Sequence, residues 1–345
     1  MTLQEFLNLS EVPEFDPGPR LLHSATPEEV ARGATTDIYF LRTYEILRRL
    51  GKLDTPVVAE IFTSRAGVMA GVTECRQLLT GRGVEVWALP EGEEFAQKEV
   101  VMRISGPYGA FGLLETPLLG ILASNCAWAT AARECRRAAG DKPVICFGAR
   151  HVHPAVAPVM ERAALVGGAS GASCIMAARL AGRLPSGTIP HAAILIVGDT
   201  VEVARAYDRY MPPDAPRIIL VDTFKDEAEE SLRVARALGP ALNGVRLDTP
   251  AERGGVTPEL VQEVRQRLDQ AGFRDVKIFV SGGLDPARIA LLSQAGADAF
   301  GVGSYISGSR PIDMTMDLKE VAGQPVAKRG RIPGITPGTR LQKIL

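Results

Sequence analysis

The stretch 277-KIFVSGGLDPARIALLSQAGADAFGVGS-304 decides the fold. An apolar run passes into a Gly-Gly turn, then a segment of helix formers, then a second apolar run that ends in another glycine-rich turn. Strand, turn, helix and strand in that order are the grammar of a βαβ unit and a parallel sheet. Toward the N-terminus, PVICFG (143–148), HAAILIV (191–197), RIILVD (217–222) and NGVRLD (243–248) repeat the strand pattern. Helical stretches separate them, notably Glu227 to Leu238 and Thr257 to Ala271. Several of these runs are apolar throughout, as strands covered on both faces are. Residues able to do chemistry collect at the ends of successive strands rather than at one switch point, which predicts a closed or nearly closed α/β barrel over an open sheet.

The sequence before the barrel reads differently. A helix is expected from Ala25 to Leu50, with Thr26 as its cap, Pro27 in its first turn and Gly51 as its stop. TPVVAEIFTS (55–64), GVEVWALPEG (83–92) and KEVVMRISGP (98–107) follow as strands, with a helix from Val68 to Leu79 between the first two. These make a small N-terminal α/β domain over 1–112. The Ala-rich segment Glu115 to Ala139 has strong helix propensity and leads into a barrel domain over 113–306. The segment 307–345 is basic and rich in Pro and Gly, and is expected to fold back on the N-terminal domain.

Thirty-nine basic residues against 40 acidic ones leave no global field that would draw nucleic acid or an anionic membrane. No run of about 18 uninterrupted apolar residues is present, and the N-terminus lacks a basic segment before an apolar one. Five cysteines, odd in number and without a CxxC pair, argue against a disulfide framework and a zinc knuckle. A cytoplasmic, reducing location is expected.

The strand ends carry the candidate site. Ser281, Gly282 and Gly283 on one strand, and Gly301, Gly303 and Ser304 on the next, suit a phosphate dianion, because glycine turns with free N–H groups before a helix form an anion cradle. Tight β–α turns alone would also explain the glycines. Asp222 and Asp248 end two neighbouring strands, where carboxylates accept from ribose hydroxyls or hold a divalent cation through water; capping the next helix is the competing role for Asp222. Arg246, two residues from Asp248, suits a planar anion. Phe147, Arg150, His151 and His153 follow another strand, and of the two histidines only one can face the mouth, His153 reading as structural. His191 stands on a Gly- and Pro-shaped turn before a run read as a buried strand.

Together, TTDIYF (35–40), FGARHVHPAVAP (147–158), SGTIPHA (186–192), VDTFKDE (221–227), VRLDTP (245–250), SGGLD (281–285) and GVGS (301–304) resemble the nicotinate phosphoribosyltransferase family. The likeness is closest to its shorter archaeal and bacterial form and more distant to nicotinamide phosphoribosyltransferase. It implies an irregular α/β barrel of the type II phosphoribosyltransferases with an N-terminal α/β sandwich domain, in a homodimer or higher oligomer with shared active sites. Carried over, the resemblance puts Phe147 on one face of the pyridine ring and Tyr39 of the partner subunit on the other. Arg150, and Arg65 of the partner subunit, would meet pyrophosphate; Arg246 would orient the base, and Thr188 would bind substrate. Asp222 and Asp248 would hold ribose hydroxyls or substrate-bound magnesium, and Gly282, Gly283, Gly301 and Ser304 the 5′-phosphate. His191 matches the histidine that ATP-using members phosphorylate, which leaves ATP coupling open. The substrates implied are nicotinate and phosphoribosyl pyrophosphate.

Two departures from the family pattern stand out. No cysteine follows Cys174, so no zinc is expected and the C-terminal segment must be held by packing alone. His151 stands where a second arginine is expected. Quinolinate phosphoribosyltransferase, whose diacid substrate calls for more cationic residues, and a phosphosugar barrel enzyme, which would need an acid–base lysine or carboxylate pair, are the alternative readings.

Overall fold

The computed structural model describes Leu9, Val12, Gly18 and residues 20–345, so the expectation for the extreme N-terminus falls largely outside the described residues. Two compact units divide the chain. One joins the described residues up to Thr130 with Arg310–Leu345; the other is Ala131–Ser309.

In the first unit the expected single helix is two, Pro27–Ala31 and Ile38–Arg49. Thr26 and Glu29 form a reciprocal capping box at the first, and the chain then turns through Gly33 at φ +88°. Five strands follow: β1 (Pro56–Thr63), β2 (Gly67–Val68), β3 (Glu85–Ala88), β4 (Glu94–Phe95) and β5 (Val100–Pro107). The helix between β2 and β3 begins at Val72 rather than Val68. Antiparallel pairing sets Ala59 of β1 opposite Ile104 of β5 and Ile61 opposite Met102. Because side chains alternate across a strand, these residues share one buried face. Helix Glu115–Ala139 brings Leu118, Leu122 and Cys126 into that same core, which is why the unit ends near Thr130 rather than at 112. The helical run Tyr108–Ala139 has the length and apolarity to cross a membrane, but Leu118 and Leu122 are fully buried within the unit.

Glu115 opens this helix. Burial pushes its carboxyl up to about 7 from the ordinary 4.5, with Asp317 adding to the effect and Lys328 opposing it. The folded protein therefore binds a proton between those values that the unfolded chain has released, so stability falls as pH rises through that window and stays lower above it. Glu115→Gln is expected to melt higher than the parent at pH 8 and to lose that advantage near pH 4. A melting difference that ignores pH would contradict the assignment.

The second unit holds β6 (Val144–Cys146), β7 (Gly171–Ala172), β8 (Ile218–Leu220), β9 (Gly244–Leu247), β10 (Lys277–Ser281) and β11 (Ala299–Val302). All pair in parallel, in the order β7-β6-β11-β10-β9-β8. Continuing that order around a barrel would set β7 beside β8, yet no ladder joins them among the described residues. The run HAAILIV, expected as a strand in this gap, is helix His191–Val197, with extended Pro190 at its N-cap and left-handed Gly198 ending it. The barrel-like sheet is irregular at this position.

The C-terminal segment returns to the first unit as β12 (Met314–Val321), β13 (Gln324–Pro325) and β14 (Gln342–Lys343). β12 pairs with β1 on the edge away from β5, and β14 pairs with β3. Packing alone does not hold this segment. Buried Glu60 on β1 accepts from the Thr336 hydroxyl at 2.6 Å and pairs with Arg103 at 2.7 Å, while Arg340 reaches Glu93 at 3.0 Å and Glu99 at 2.8 Å.

Candidate active site

The parallel strands of the second unit deliver their chemistry at their C-terminal ends. Phe147 follows β6, Ser173 β7, Asp248 β9, Gly282 and Gly283 β10, and Gly303 and Ser304 β11. These residues line one cavity of about 390 Å³ together with Arg150, His151, Thr188, Arg246, Ser281 and Gly301. That volume is within the range of small-molecule sites.

Two consecutive glycines, Gly282 at φ +91° and Gly283 at φ +59°, turn the chain out of β10 in a conformation that residues with a Cβ adopt rarely. Asp285 then caps helix Pro286–Gln294 by accepting from the Arg288 amide at 2.8 Å. Gly301 is required for a different reason: a Cβ there would lie 2.4 Å from Cε2 of Phe147. Cε2 and Cδ2 of Phe147 thus lie against the β11 backbone, and the ring stacks at 6.2 Å on Phe279, with 18° between the planes.

Arg246, on β9, is mostly buried. Its guanidinium donates to the Thr188 hydroxyl at 2.8 Å and to Asp248 Oδ2 at 3.3 Å, while Ser281 donates to Asp248 Oδ1 at 2.8 Å. Burial lowers the proton affinity of Arg246, against the pull of Asp248 and Asp222, and its Nε is buried without a partner. Such a largely buried cation is a strong partner for an incoming carboxylate.

Asp222 and His191 are not among the residues lining this cavity. The Asp222 side chain has no exposed area and holds His191 Nε2 at 3.1 Å. Burial is the largest cause of its raised pKa, which the His191 hydrogen bond opposes, and its Oδ1 has no partner. The competing capping role falls away, because Asp226 is the cap of helix Glu227–Leu238, accepting from Ala228 and Glu229. Of the two histidines after β6, His151 lines the cavity against Gly303, whereas His153 is exposed and accepts from the Ala155 amide. Tyr39, 54% exposed, and Arg65, which donates to the Arg310 carbonyl at 2.8 Å, belong to the first unit and are not among the lining residues.

Two buried acids escaped the sequence reading. Glu161 accepts from the Ala149 amide, the Ser173 hydroxyl and the Cys174 amide, and Glu227 accepts from the Thr249 hydroxyl at 2.8 Å beside Asp248. The signal for Glu161 was a carboxylate on the apolar face of a helical run, Ala157, Met160 and Ala164 sharing its side. No group of three or more His, Cys, Asp or Glu among the described residues could hold a metal ion.

The family model of the quinolinate phosphoribosyl transferase N-terminal domain matches residues 37–126, and that of the C-terminal domain matches 128–317. A nicotinate phosphoribosyltransferase of Mycobacterium tuberculosis is 32% identical over 265 residues, 74% of this chain and 57% of its own length. One of Bacillus subtilis is 33% identical over 228 residues, 64% of this chain and 45% of its own. The chain thus spans about half the length of these curated relatives. Among solved structures, a nicotinate-nucleotide pyrophosphorylase from Pyrococcus furiosus is 42% identical with a TM-score of 0.88, covering 94% of this chain and 86% of that one. Human nicotinic acid phosphoribosyltransferase, 21% identical with a TM-score of 0.69 over 87% of this chain and 77% of that one, shares the fold.

Proposed function

The chain belongs to the type II phosphoribosyltransferases, the family of the quinolinate phosphoribosyl transferase domains, and from that premise we propose that it joins nicotinate to phosphoribosyl pyrophosphate, forming nicotinate mononucleotide and pyrophosphate in NAD biosynthesis. One observation carries this reading: a single cavity brings together an aromatic face, two arginines and two glycine turns. Phe147 takes one face of the pyridine ring, Arg246 its carboxylate, the amides at 282–283 and 303–304 the 5′-phosphate, and Arg150 the leaving pyrophosphate. Displacement at the anomeric carbon develops oxocarbenium character, so the protein's work is positioning and charge neutralisation rather than base catalysis.

One feature of the lining favours nicotinate over quinolinate. Among the described residues its cationic side chains are those of Arg150 and Arg246, with the imidazole of His151, a small supply for a diacid. No lysine lines the cavity. Lys277 is at the wrong end of β10, beside Asp298, and Lys225 pairs with Glu229, so the acid–base lysine of an aldolase-type reaction has no counterpart.

Magnesium, in this reading, arrives on the substrate. Asp248, partly exposed at the cavity, suits an ion that keeps its waters and is held by a carboxylate and phosphate oxygens, and the bound ion would supply positive charge to the departing diphosphate. Asp222, whose side chain has no exposed area, instead orients His191: its carboxylate lies 3.1 Å from Nε2, and the tautomer that donates from Nε2 leaves the Nδ1 lone pair available. That arrangement supports ATP coupling through His191 as an added activity. Free cysteines throughout support a cytoplasmic setting.

A second copy of the chain completes the site by supplying Tyr39 and Arg65. The short helices after β7 expose Ile175 at 71%, Leu180 at 65% and Ile196 at 84%, apolar area that suits a subunit interface. Mixing inactive Tyr39→Ala and Arg150→Ala subunits is expected to restore part of the parent activity. No recovery would argue for sites built within one chain. The decisive assay supplies phosphoribosyl pyrophosphate and magnesium with nicotinate, nicotinamide or quinolinate separately, with and without ATP. Mononucleotide from nicotinate is expected; product from quinolinate alone would shift the assignment, and silence with all three would end it.

A further inference from the structure

We infer that Glu161 is the positioning residue of this site: its buried carboxylate fastens the turn that carries Phe147 and Arg150 to the loop that carries Ser173. This inference rests on the proposed transferase reading, in which Arg150 meets the diphosphate.

Glu161 has no exposed surface, a costly place for a carboxylate unless its lone pairs are satisfied. They are satisfied from two separate loops. The Ala149 amide donates to Oε1 at 3.1 Å, and Ala149 immediately precedes Arg150. From the loop after β7, the Ser173 hydroxyl donates to the same oxygen at 2.8 Å, and the Cys174 amide to Oε2 at 2.6 Å. Helix Ala157–Val166 presents Glu161 from the side that also carries Met160 and Ala164, so the acid occupies a place an apolar residue would fill if packing were its only task.

β6 ends at Cys146 and β7 is two residues long; the Ser173 amide still donates to the Cys146 carbonyl at 3.1 Å, but neither strand's pairing reaches Arg150 or the Cys174 amide. Arg150 is itself exposed and leans on a one-turn 3₁₀ segment, Ala149–His151. A carboxylate that only accepts can serve two donor-bearing loops at once. A glutamine cannot, because its NH₂ would confront the N–H of one of them. Glu161→Gln therefore keeps one loop and releases the other.

The test uses the full-length enzyme with nicotinate, magnesium and varied phosphoribosyl pyrophosphate. Glu161→Gln is expected to raise the KM for phosphoribosyl pyrophosphate about tenfold to a hundredfold, the scale on which a displacement of about 1 Å acts. In an Arg150→Ala background, where calorimetric binding of phosphoribosyl pyrophosphate replaces turnover, the same substitution should weaken the Kd by less than about threefold further, because the anchor has lost what it anchors. Independently of turnover, amide hydrogen exchange in Glu161→Gln should accelerate at Ala149 or Cys174 while β9 and β10 stay protected. Should Glu161→Gln fail to fold, Glu161→Asp, which keeps the charge but is shorter by one methylene, enters the same comparison. Unchanged KM and exchange, or a full additional loss on top of Arg150→Ala, would overturn the inference with the parent still active. An inactive parent would instead overturn the transferase reading, and the exchange result would then judge the anchor by itself.

Discussion

Arg246→Ala is expected to cripple the use of nicotinate while sparing the binding of phosphoribosyl pyrophosphate. The guanidinium is fixed by Thr188 and Asp248 on one side and lies in a wall dry enough to lower its proton affinity. Truncating one partner of a desolvated, hydrogen-bonded charge pair costs about 2–5 kcal/mol. At about 1.4 kcal/mol per decade, kcat/KM for nicotinate should fall by roughly 30-fold to a few thousand-fold. Arg246→Lys should recover little, since a point charge cannot reproduce the planar fork that spans Thr188, Asp248 and the base. Steady-state kinetics with each substrate varied in turn, together with calorimetric binding of phosphoribosyl pyrophosphate, separate the two effects. Equal losses toward both substrates would contradict the role given to Arg246.

Gly301→Ala tests the aromatic wall. The added carbon would lie 2.4 Å from Cε2 and 2.6 Å from Cδ2 of Phe147, well inside contact distance. β10 and β6 hold the backbone of β11 on both sides. Phe147 must therefore move. Overpacking of this kind costs about 1–3 kcal/mol of stability, and a ring displaced by about 1 Å from the pyridine costs on the order of a hundredfold in kcat/KM. Gly120→Ala serves as the control, since a carbon added there meets nothing within 4 Å. A Gly301→Ala enzyme with parental kinetics would mean that Phe147 does not stack on the base.

Much of this site was legible in the sequence because βαβ units put functional residues at strand ends, and strand ends are easy to find where an apolar run meets SGG or GVGS. The error at HAAILIV has a physical cause. Six apolar residues after His191 fit a buried strand or a buried helix equally well by periodicity, and the deciding signals were Pro190 before the run and Gly198 after it. β12 was missed for the opposite reason: MTMDLKEV mixes charges into a half-buried strand, and only its pairing with β1 reveals it. The unit boundary was placed early because one helix, Glu115–Ala139, lends its first four turns to the N-terminal core, a division no local pattern marks.

Polar partnerships were the least readable part. Asp222 stood out as a strand-end carboxylate, but its pairing with His191 joins residues 31 apart in sequence through a fold contact. Glu161 carries one signal, an acid on the apolar face of a helical run, whereas only burial and the bond from the Thr249 hydroxyl separate Glu227 from a solvated helix acid.

A crystal structure of the protein bound to nicotinate mononucleotide tests the central claim most directly. The pyridine ring is expected against Phe147, its carboxylate at Arg246, and the 5′-phosphate on the backbone amides at 282–283 and 303–304. A mononucleotide bound with its phosphate away from those turns, or with its carboxylate turned from Arg246, would contradict it.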